Sequence, residues 1–299
     1  MKLGEMLQQG MYQSYTYAYP HKLAYRPIPA RPLASVWSEE PLSSLFLYLH
    51  IPFCEMRCGF CNLFTVANPE MDLQTRYLQQ LSREAALWQD AVPGASFSRI
   101  AVGGGTPSFL DMTGLRQLFK ILDHAMHAPL GKVPFSFELS PGTIDEEKLA
   151  FLLARGVTRA SMGVQSFLED ETRALGRPQA PAMLTRALKL LRDTGFPSVN
   201  LDLIYGAHQQ DARSWAYSLE MVLDQAPQEI FLYPLYVRPL TGLGKGQRER
   251  QDMRTALYLQ GRDFLLAHGY RQRSMRHFCR EAAAHEDGPV YCCQEDGMV

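Results

Sequence analysis

The sequence predicts an α/β fold built around a mostly parallel sheet, and three of its features carry that expectation. From Leu45 onward, short apolar runs alternate with amphipathic stretches. The runs are near-continuously apolar, the pattern of parallel strands buried on both faces. Helix start and stop signals fall between them. Strands are expected over residues 45–51 (LFLYLHI), 99–102 (RIAV), 135–139 (FSFEL), 159–164 (RASMGV), 199–205 (VNLDLIY) and 229–235 (EIFLYPL).

Between them, a first helix is expected at about 72–89, with Leu73, Tyr77, Leu78, Leu81, Ala85 and Trp88 on one face. A second begins at Thr143, where Thr143-Ile144-Asp145-Glu146 has the form of a capping box. A third covers about 181–193 and stops at Gly195, and a fourth covers about 212–224. Six strands with five intervening helices form a repeated (β/α) pattern. The pattern fits an open sheet, a full barrel or a partial barrel, and in each the chemistry gathers at the C-terminal ends of the strands.

Ahead of the first strand, residues 1–44 are rich in tyrosine and proline, including Tyr12, Tyr15, Tyr17, Tyr19, Pro20, Pro27, Pro29 and Pro32. They read as an irregular arm packed on a core spanning 45–245. Residues 246–299 read as the start of a helical C-terminal region.

Bulk properties narrow the function. Hydrophobic residues make up 46% of the 299 and charged residues 20%, with a formal net charge of -1. Nothing in that balance favours a nucleic-acid partner. The N-terminus lacks the apolar core of a signal peptide, and no run of ~18 apolar residues offers a membrane span. The expected location is the cytoplasm. A reducing cytosol makes disulfides poor candidates for the six cysteines and directs attention to metal or redox roles.

Three of those cysteines crowd into His50-Ile51-Pro52-Phe53-Cys54-Glu55-Met56-Arg57-Cys58-Gly59-Phe60-Cys61, directly after the first strand. Thiolates spaced C-x3-C-x2-C on one loop can converge on an iron–sulfur centre. Three ligands leave one iron open, the mark of a catalytic rather than a structural metal centre. A zinc site with His50 as fourth ligand is the competing reading. Farther on, Gly103-Gly104-Gly105-Thr106-Pro107 follows the second strand and lets a ligand approach the backbone and its amides. Glu138 and Asp202 are carboxylates inside apolar strands, costly unless partnered. Gln165 ends the fourth strand and Arg177 follows twelve residues later.

YLHIPFCEMRCGFC resembles the radical S-adenosylmethionine (SAM) superfamily, in particular its oxygen-independent coproporphyrinogen III oxidase-like branch. The resemblance runs over roughly 45–240, and weakly over Tyr17-Ala18-Tyr19-Pro20. It implies a partial (β/α)6 TIM-like barrel with an irregular N-terminal arm and an incomplete C-terminal region. It implies a [4Fe-4S] cluster on Cys54, Cys58 and Cys61, and one or two molecules of SAM. Gly104, Gly105 and Thr106 would hold the methionine end of SAM, and Glu138 would make a polar contact to SAM. Phe60, Gln165, Arg177 and Asp202, with Tyr48, would line a second SAM or the substrate.

The implied chemistry is oxidoreductase chemistry: a reduced cluster cleaves SAM, and the 5′-deoxyadenosyl radical takes hydrogen from a small molecule. A tetrapyrrole of porphyrin biosynthesis, such as coproporphyrinogen III, is the implied substrate, and a flavodoxin or ferredoxin the electron donor. Arg26, Arg31 and Arg238 are candidates for its propionates. The branch's oxidases carry a fourth cysteine two residues past the third, where this chain has Asn62 and Leu63. A haem chaperone of the same branch, a radical SAM methyltransferase and a zinc-stabilised scaffold are the alternatives. His277, Cys279, His285, Cys292 and Cys293 have no standard zinc spacing and read as buried or free thiols and ordinary histidines.

Overall fold

The structure is a computed structural model that describes residues 25–238, 241–245, 252–280 and 297–299. A short helix, α1 (Leu33–Trp37), precedes the first strand, β1 (Leu45–Ile51). The cysteine loop follows, with two short strands, β2 (Phe53–Cys54) and β3 (Val66–Ala67), paired in parallel across it. Then come α2 (Met71–Ala91), β4 (Phe97–Gly104), α3 (Met112–Lys120), β5 (Phe135–Leu139), α4 (Glu146–Ala154), β6 (Arg159–Gln165), α5 (Glu169–Ala174) and α6 (Pro181–Thr194). The chain continues through β7 (Ser198–Tyr205), α7 (Ala212–Asp224), β8 (Glu229–Pro234), α8 (Arg254–Ala267), β9 (Tyr270–Gln272) and β10 (His277–Arg280).

The sheet order is β1-β4-β5-β6-β7-β8-β10-β9. The first six strands run parallel and in sequence, each joined to the next by a helical crossover, as in a barrel whose two ends are not joined. β10 and β9 add to the β8 edge in antiparallel fashion, two strands the sequence reading did not place. At the other edge, residues 297–299 exchange backbone hydrogen bonds with Phe46 and Tyr48.

Strands β1, β5 and β8 are buried on one face only, whereas β4, β6 and β7 are buried at nearly consecutive positions. β1 alternates strictly, with Leu45, Leu47, Leu49 and Ile51 buried and Phe46, Tyr48 and His50 only half-buried. In β5, Phe135, Phe137 and Leu139 are buried while Ser136 and Glu138 face the other way. β8 repeats the pattern, with Ile230, Leu232 and Pro234 buried. The expectation of two buried faces is thereby corrected for β1, β5 and β8, while β4, β6 and β7 come close to it. Helices cover one face, and the inner face carries polar groups and aromatic rings. Apolar lumen residues such as Phe231 and Ile204 hid this period of two in the sequence.

The expected helices exist, with local differences. α7 matches its expected range, and its N-cap Asp211 forms a capping box with Ser214. α6 ends at Gly195, whose φ of 75° is the left-handed C-cap that glycine favours. In α2 the buried positions are Gln74, Leu78, Ala85 and Trp88, whereas Leu73 is 37% exposed. The packing face is rotated from the expected one because Gln74 turns inward and donates to Pro69 O. The capping box at Thr143 does not form. Asp145 is the N-cap of α4, accepting from Lys148 N at 2.9 Å, and Thr143 sits in a preceding 3-10 turn where it bonds Ser140 O and Ser108 Oγ. Of the arm, Tyr12 to Tyr19 lie outside the described residues; residues 25–36 are exposed, the first residues of α1 included, so this part of the arm is not packed on the core as expected.

Trp215 illustrates how the helical layer locks onto the sheet. Its ring is fully buried, its Nε1 donates to Leu257 O at 2.8 Å, and it leans on Tyr205 and against Gly261 of α8. Trp215→Ala leaves a cavity and an unpartnered carbonyl, and should cost about 3–5 kcal/mol, read as a lower midpoint in urea unfolding.

Candidate active site

The twelve site residues singled out from the sequence all line one cavity of about 530 Å³ at the C-terminal ends of the parallel strands. That volume lies in the range of small-molecule sites. Each side chain reaches the cavity for a local reason.

The cysteine loop leaves β1 and is held at both ends. Val66 N donates to Pro52 O and Asn68 N to Cys54 O, each at 2.7 Å. Its middle is fixed by Gly59, whose N donates to Leu175 O at 3.1 Å and whose O accepts from Leu243 N at 2.8 Å. A Cβ on Gly59 would stand 2.7 Å from Leu175 O, so only glycine permits this approach. Cys54 Sγ accepts from Thr106 Oγ1 at 3.6 Å, Cys58 Sγ from Arg177 Nη1 at 3.9 Å, and Cys61 Sγ lies 4.0 Å from Thr65 Oγ1. Burial pushes the Cys54 and Cys58 thiols up, opposed by the Thr106 hydrogen bond at Cys54 and by the Arg177 charge at Cys58.

This donor set fits a polynuclear centre better than a single ion. Among the described residues, no three His, Cys, Asp or Glu side chains converge closely enough to hold one metal ion. His50, the fourth ligand of the zinc reading, has both ring nitrogens engaged: Nδ1 with Tyr48 Oη at 3.2 Å and Nε2 with Phe64 O at 3.0 Å. Its ring also packs on Gly104, where a Cβ would stand 2.5 Å from the imidazole. The C-terminal set forms no site among the described residues. His277 lies 3.2 Å from Glu229, Cys279 is buried beside Arg273, and the other three lie outside the described residues.

The glycine-rich turn works differently from its expected role. Gly104 N donates to Glu138 Oε2 at 3.0 Å, Gly105 N to Ile51 O at 2.8 Å and Thr106 N to Phe53 O at 2.7 Å. These amides are spent within the protein, which corrects the expectation of donors offered to a ligand. The turn instead offers a surface without side chains, while Thr106 O accepts from Phe109 N at 2.9 Å. Gly104 has a φ of 117°, and a Cβ on Gly105 would meet Cys54 Sγ at 2.9 Å. Lys148 braces the turn by donating to Ser108 O and Thr143 O, each at 2.9 Å.

Glu138 and Asp202 face each other's field across the lumen. Glu138 is open to cavity water but otherwise enclosed by protein. Burial pushes its pKa up to about 7, the Gly104 amide resists, and Asp202 adds to the rise. Burial likewise raises Asp202 to about 6, against a hydrogen bond from Asn200 Nδ2 at 2.7 Å. Tyr48 is pushed up to about 12, first by burial and then by Glu138. Deeper in the lumen, burial would raise Glu229, but His277 and Arg159 outweigh it and hold the group down at about 2.

Gln165 enters the cavity through backbone strain. Its φ is 69°, unusual for a residue other than glycine, and the β6–β7 register shifts between Gly163 and Gln165. Arg177 is held by Gly163 O at 3.0 Å and Ser140 Oγ at 3.3 Å, besides Cys58.

The structure does not bring Arg26, Arg31 or Arg238 to the cavity. It brings Tyr233, Tyr236, Gln179, Met183 and Arg276 instead, none singled out from the sequence. Tyr233 continues the inward face of β8, whose period of two the apolar Phe231 masks in the sequence. Arg276 arrives on the β9–β10 turn, which no sequence signal marked. Also missed was Glu171, buried in the first turn of α5, whose Oε2 accepts from Ser166 Oγ at 2.7 Å and Gln210 Nε2 at 3.0 Å. It anchors the helix that delivers Leu175, Gly176 and Arg177.

Comparison with known proteins places this geometry. The family model for the Radical SAM superfamily matches residues 48–221. The chain is 30% identical over 271 residues to the oxygen-independent coproporphyrinogen III oxidase of Paracoccus denitrificans, covering 88% of this chain and 60% of that one. It is 29% identical over 237 residues to the heme chaperone HemW of Haemophilus influenzae, covering 77% and 62%. Among solved structures, the coproporphyrinogen III oxidase HemN of Escherichia coli superposes with a TM-score of 0.81 at 28% identity, over 89% of this chain and 62% of that one. The chain thus spans about 60% of the length of these relatives. The partial-barrel expectation agrees with that likeness. Among the described residues, no helix is long and apolar enough to cross a membrane.

The raised Glu138 and Asp202 pKa values have a definite sign in the cofactor-free protein. Between about 4.5 and about 7, folded Glu138 holds a proton that the unfolded chain has lost, so stability falls as pH rises through that window. Cavity water screens the group, so the slope should be modest. Glu138→Gln should flatten it, read as urea midpoints at pH 5 and pH 7.5 that lie closer together than in the wild type.

Proposed function

Because the chain belongs to the radical SAM superfamily, whose cofactors are a [4Fe-4S] cluster and SAM, we propose that it is an enzyme that cleaves SAM reductively at this cavity and acts on a tetrapyrrole-like small molecule. The observation that carries the reading is the opening of Cys54, Cys58 and Cys61, all on one pinned loop, into a cavity that also holds Glu138, Arg177 and the glycine-rich turn.

Cys54, Cys58 and Cys61 would hold the [4Fe-4S] cluster, which when bound would supply the electron for reductive cleavage of SAM. The chain's own residues orient and shield. The Glu138 carboxylate, beside the bare Gly104–Gly105 turn, suits the ammonium of SAM, since a carboxylate near a cation regains its charge at neutral pH. Arg177, fixed beside Cys58, suits the SAM carboxylate. Phe60 offers an apolar face at the cavity wall. Tyr48 holds His50 and, through it, the Phe64 carbonyl and Gly104. Gln165 and Asp202 stand where a substrate or a second SAM would lie.

A haem-carrying role is the second reading, favoured by the likeness to the heme chaperone. Anaerobic reconstitution separates the two. Iron and sulfide near four per chain, with 5′-deoxyadenosine formed on reduction in the presence of SAM, supports the enzyme. Tight haem binding with little SAM turnover supports the carrier. Cys58→Ala should lose the cluster's visible absorption and all deoxyadenosine formation, and a fully loaded Cys58→Ala variant would refute the ligand assignment.

A further inference from the structure

A buried carboxylate stands behind two of the cavity's donors without lining the cavity itself. Glu171, in the first turn of α5, is 5% exposed. Its Oε2 accepts from Ser166 Oγ at 2.7 Å and from Gln210 Nε2 at 3.0 Å. Ser166 Oγ in turn accepts from Leu168 N at 3.0 Å. Gln210 closes the other side. Its Oε1 accepts from Gly206 N at 2.6 Å and Ala207 N at 3.3 Å, and its Nε2 also donates to Ile204 O at 3.2 Å. One carboxylate therefore ties the ends of β6 and β7 to α5.

Two routes lead from Glu171 to the cavity. The first runs through Ser166 to the residue before it, Gln165, whose φ is 69°. A left-handed conformation is strained for any residue but glycine and persists only where its neighbours over-determine it. The short bond from Ser166 to the carboxylate supplies that constraint one residue downstream. The second route follows the backbone of α5. Glu171 O accepts from Leu175 N and Thr172 O from Arg177 N, each at 2.9 Å, so the closing turn of the helix is fixed relative to the carboxylate.

Both routes end over Gly163. Arg177 Nη2 donates to Gly163 O at 3.0 Å. A Cβ on Gly163 would overlap the Gln165 carboxamide and stand 3.4 Å from Arg177 Nη1. The carboxamide and the guanidinium thus lie together against a stretch of β6 that has no side chain of its own.

We propose that Glu171 is a positioning residue for the cavity: it holds the left-handed turn at Gln165 and the end of α5 together, and so presents the Gln165 carboxamide and the Arg177 guanidinium as one donor pair. This rests on the reading of the cavity as a SAM-cleaving site, in which Arg177 takes the carboxylate of SAM.

Glu171→Met removes both acceptor bonds at nearly constant volume. In equilibrium dialysis of reconstituted protein it should weaken SAM binding by about ten-fold, with iron content unchanged. Glu171→Gln, which can accept the same two bonds, should recover most of that affinity. The backbone route is read in cofactor-free protein by urea unfolding. Gln165→Gly relieves the strain at φ 69°, so Glu171→Met should lower the midpoint less in the Gln165→Gly background than in wild type. Normal SAM affinity in Glu171→Met, or equal losses in Glu171→Met and Glu171→Gln, would overturn the positioning role. Additive midpoints would overturn the support of Gln165. Ser166→Ala cuts the same bond from the other side and replaces Glu171→Met if that variant does not fold, with the same loss of affinity and the same coupling expected. Failure of the underlying reading shows separately, as wild type that neither binds SAM nor forms deoxyadenosine.

Discussion

The structure depends on a sheet sealed by helices on its outer face and opening on its inner face into a cavity at the strand ends. Helices seal the outer face with Leu, Ile and Phe from alternate strand positions. The inner positions are then free to be polar, and they are occupied by Ser136, Glu138, Ser161, Asn200 and Asp202. Each would be costly in a two-sided core. Here they meet one another: Asn200 Nδ2 reaches both Ser161 Oγ at 2.8 Å and Asp202 Oδ1 at 2.7 Å. The lumen that makes these groups tolerable is also what makes them usable.

Depth in the lumen sorts its carboxylates. Glu229, at the start of β8, is neutralised by Arg159 and His277 and remains charged over a wide range of pH. Glu138 and Asp202, toward the strand ends, are raised by burial and hold their protons more tightly. The same residue type is therefore a fixed strut at one end and a responsive group at the other. A cationic ligand arriving at the open end would find carboxylates ready to ionise against it.

Much of this was legible in the sequence. All six parallel strands were visible as apolar runs, and the cysteine spacing with its YLHIPF lead-in pointed to the cluster loop. Residues adjacent to strand ends were found because topology, not distance along the chain, brings them together. What escaped was set by tertiary context. Whether the amides of Gly104, Gly105 and Thr106 are available depends on Glu138, Ile51 and Phe53, which no local pattern reveals. Leu73 and Gln74 exchange roles through a small rotation of α2. Arg276 depends on a hairpin of short strands, too brief to show a period of its own.

Gly59 and Gly176 meet backbone to backbone. A Cβ on Gly176 would stand 2.8 Å from Gly59 Cα, and Gly176 adopts a φ of 65° that disfavours any other residue. With no side chains between them to slide or repack, the segments bearing Cys58 and Arg177 form a rigid seam. Any change in the shape of the pocket must therefore be carried by other parts of its wall, with Cys58 and Arg177 kept in fixed relation to each other.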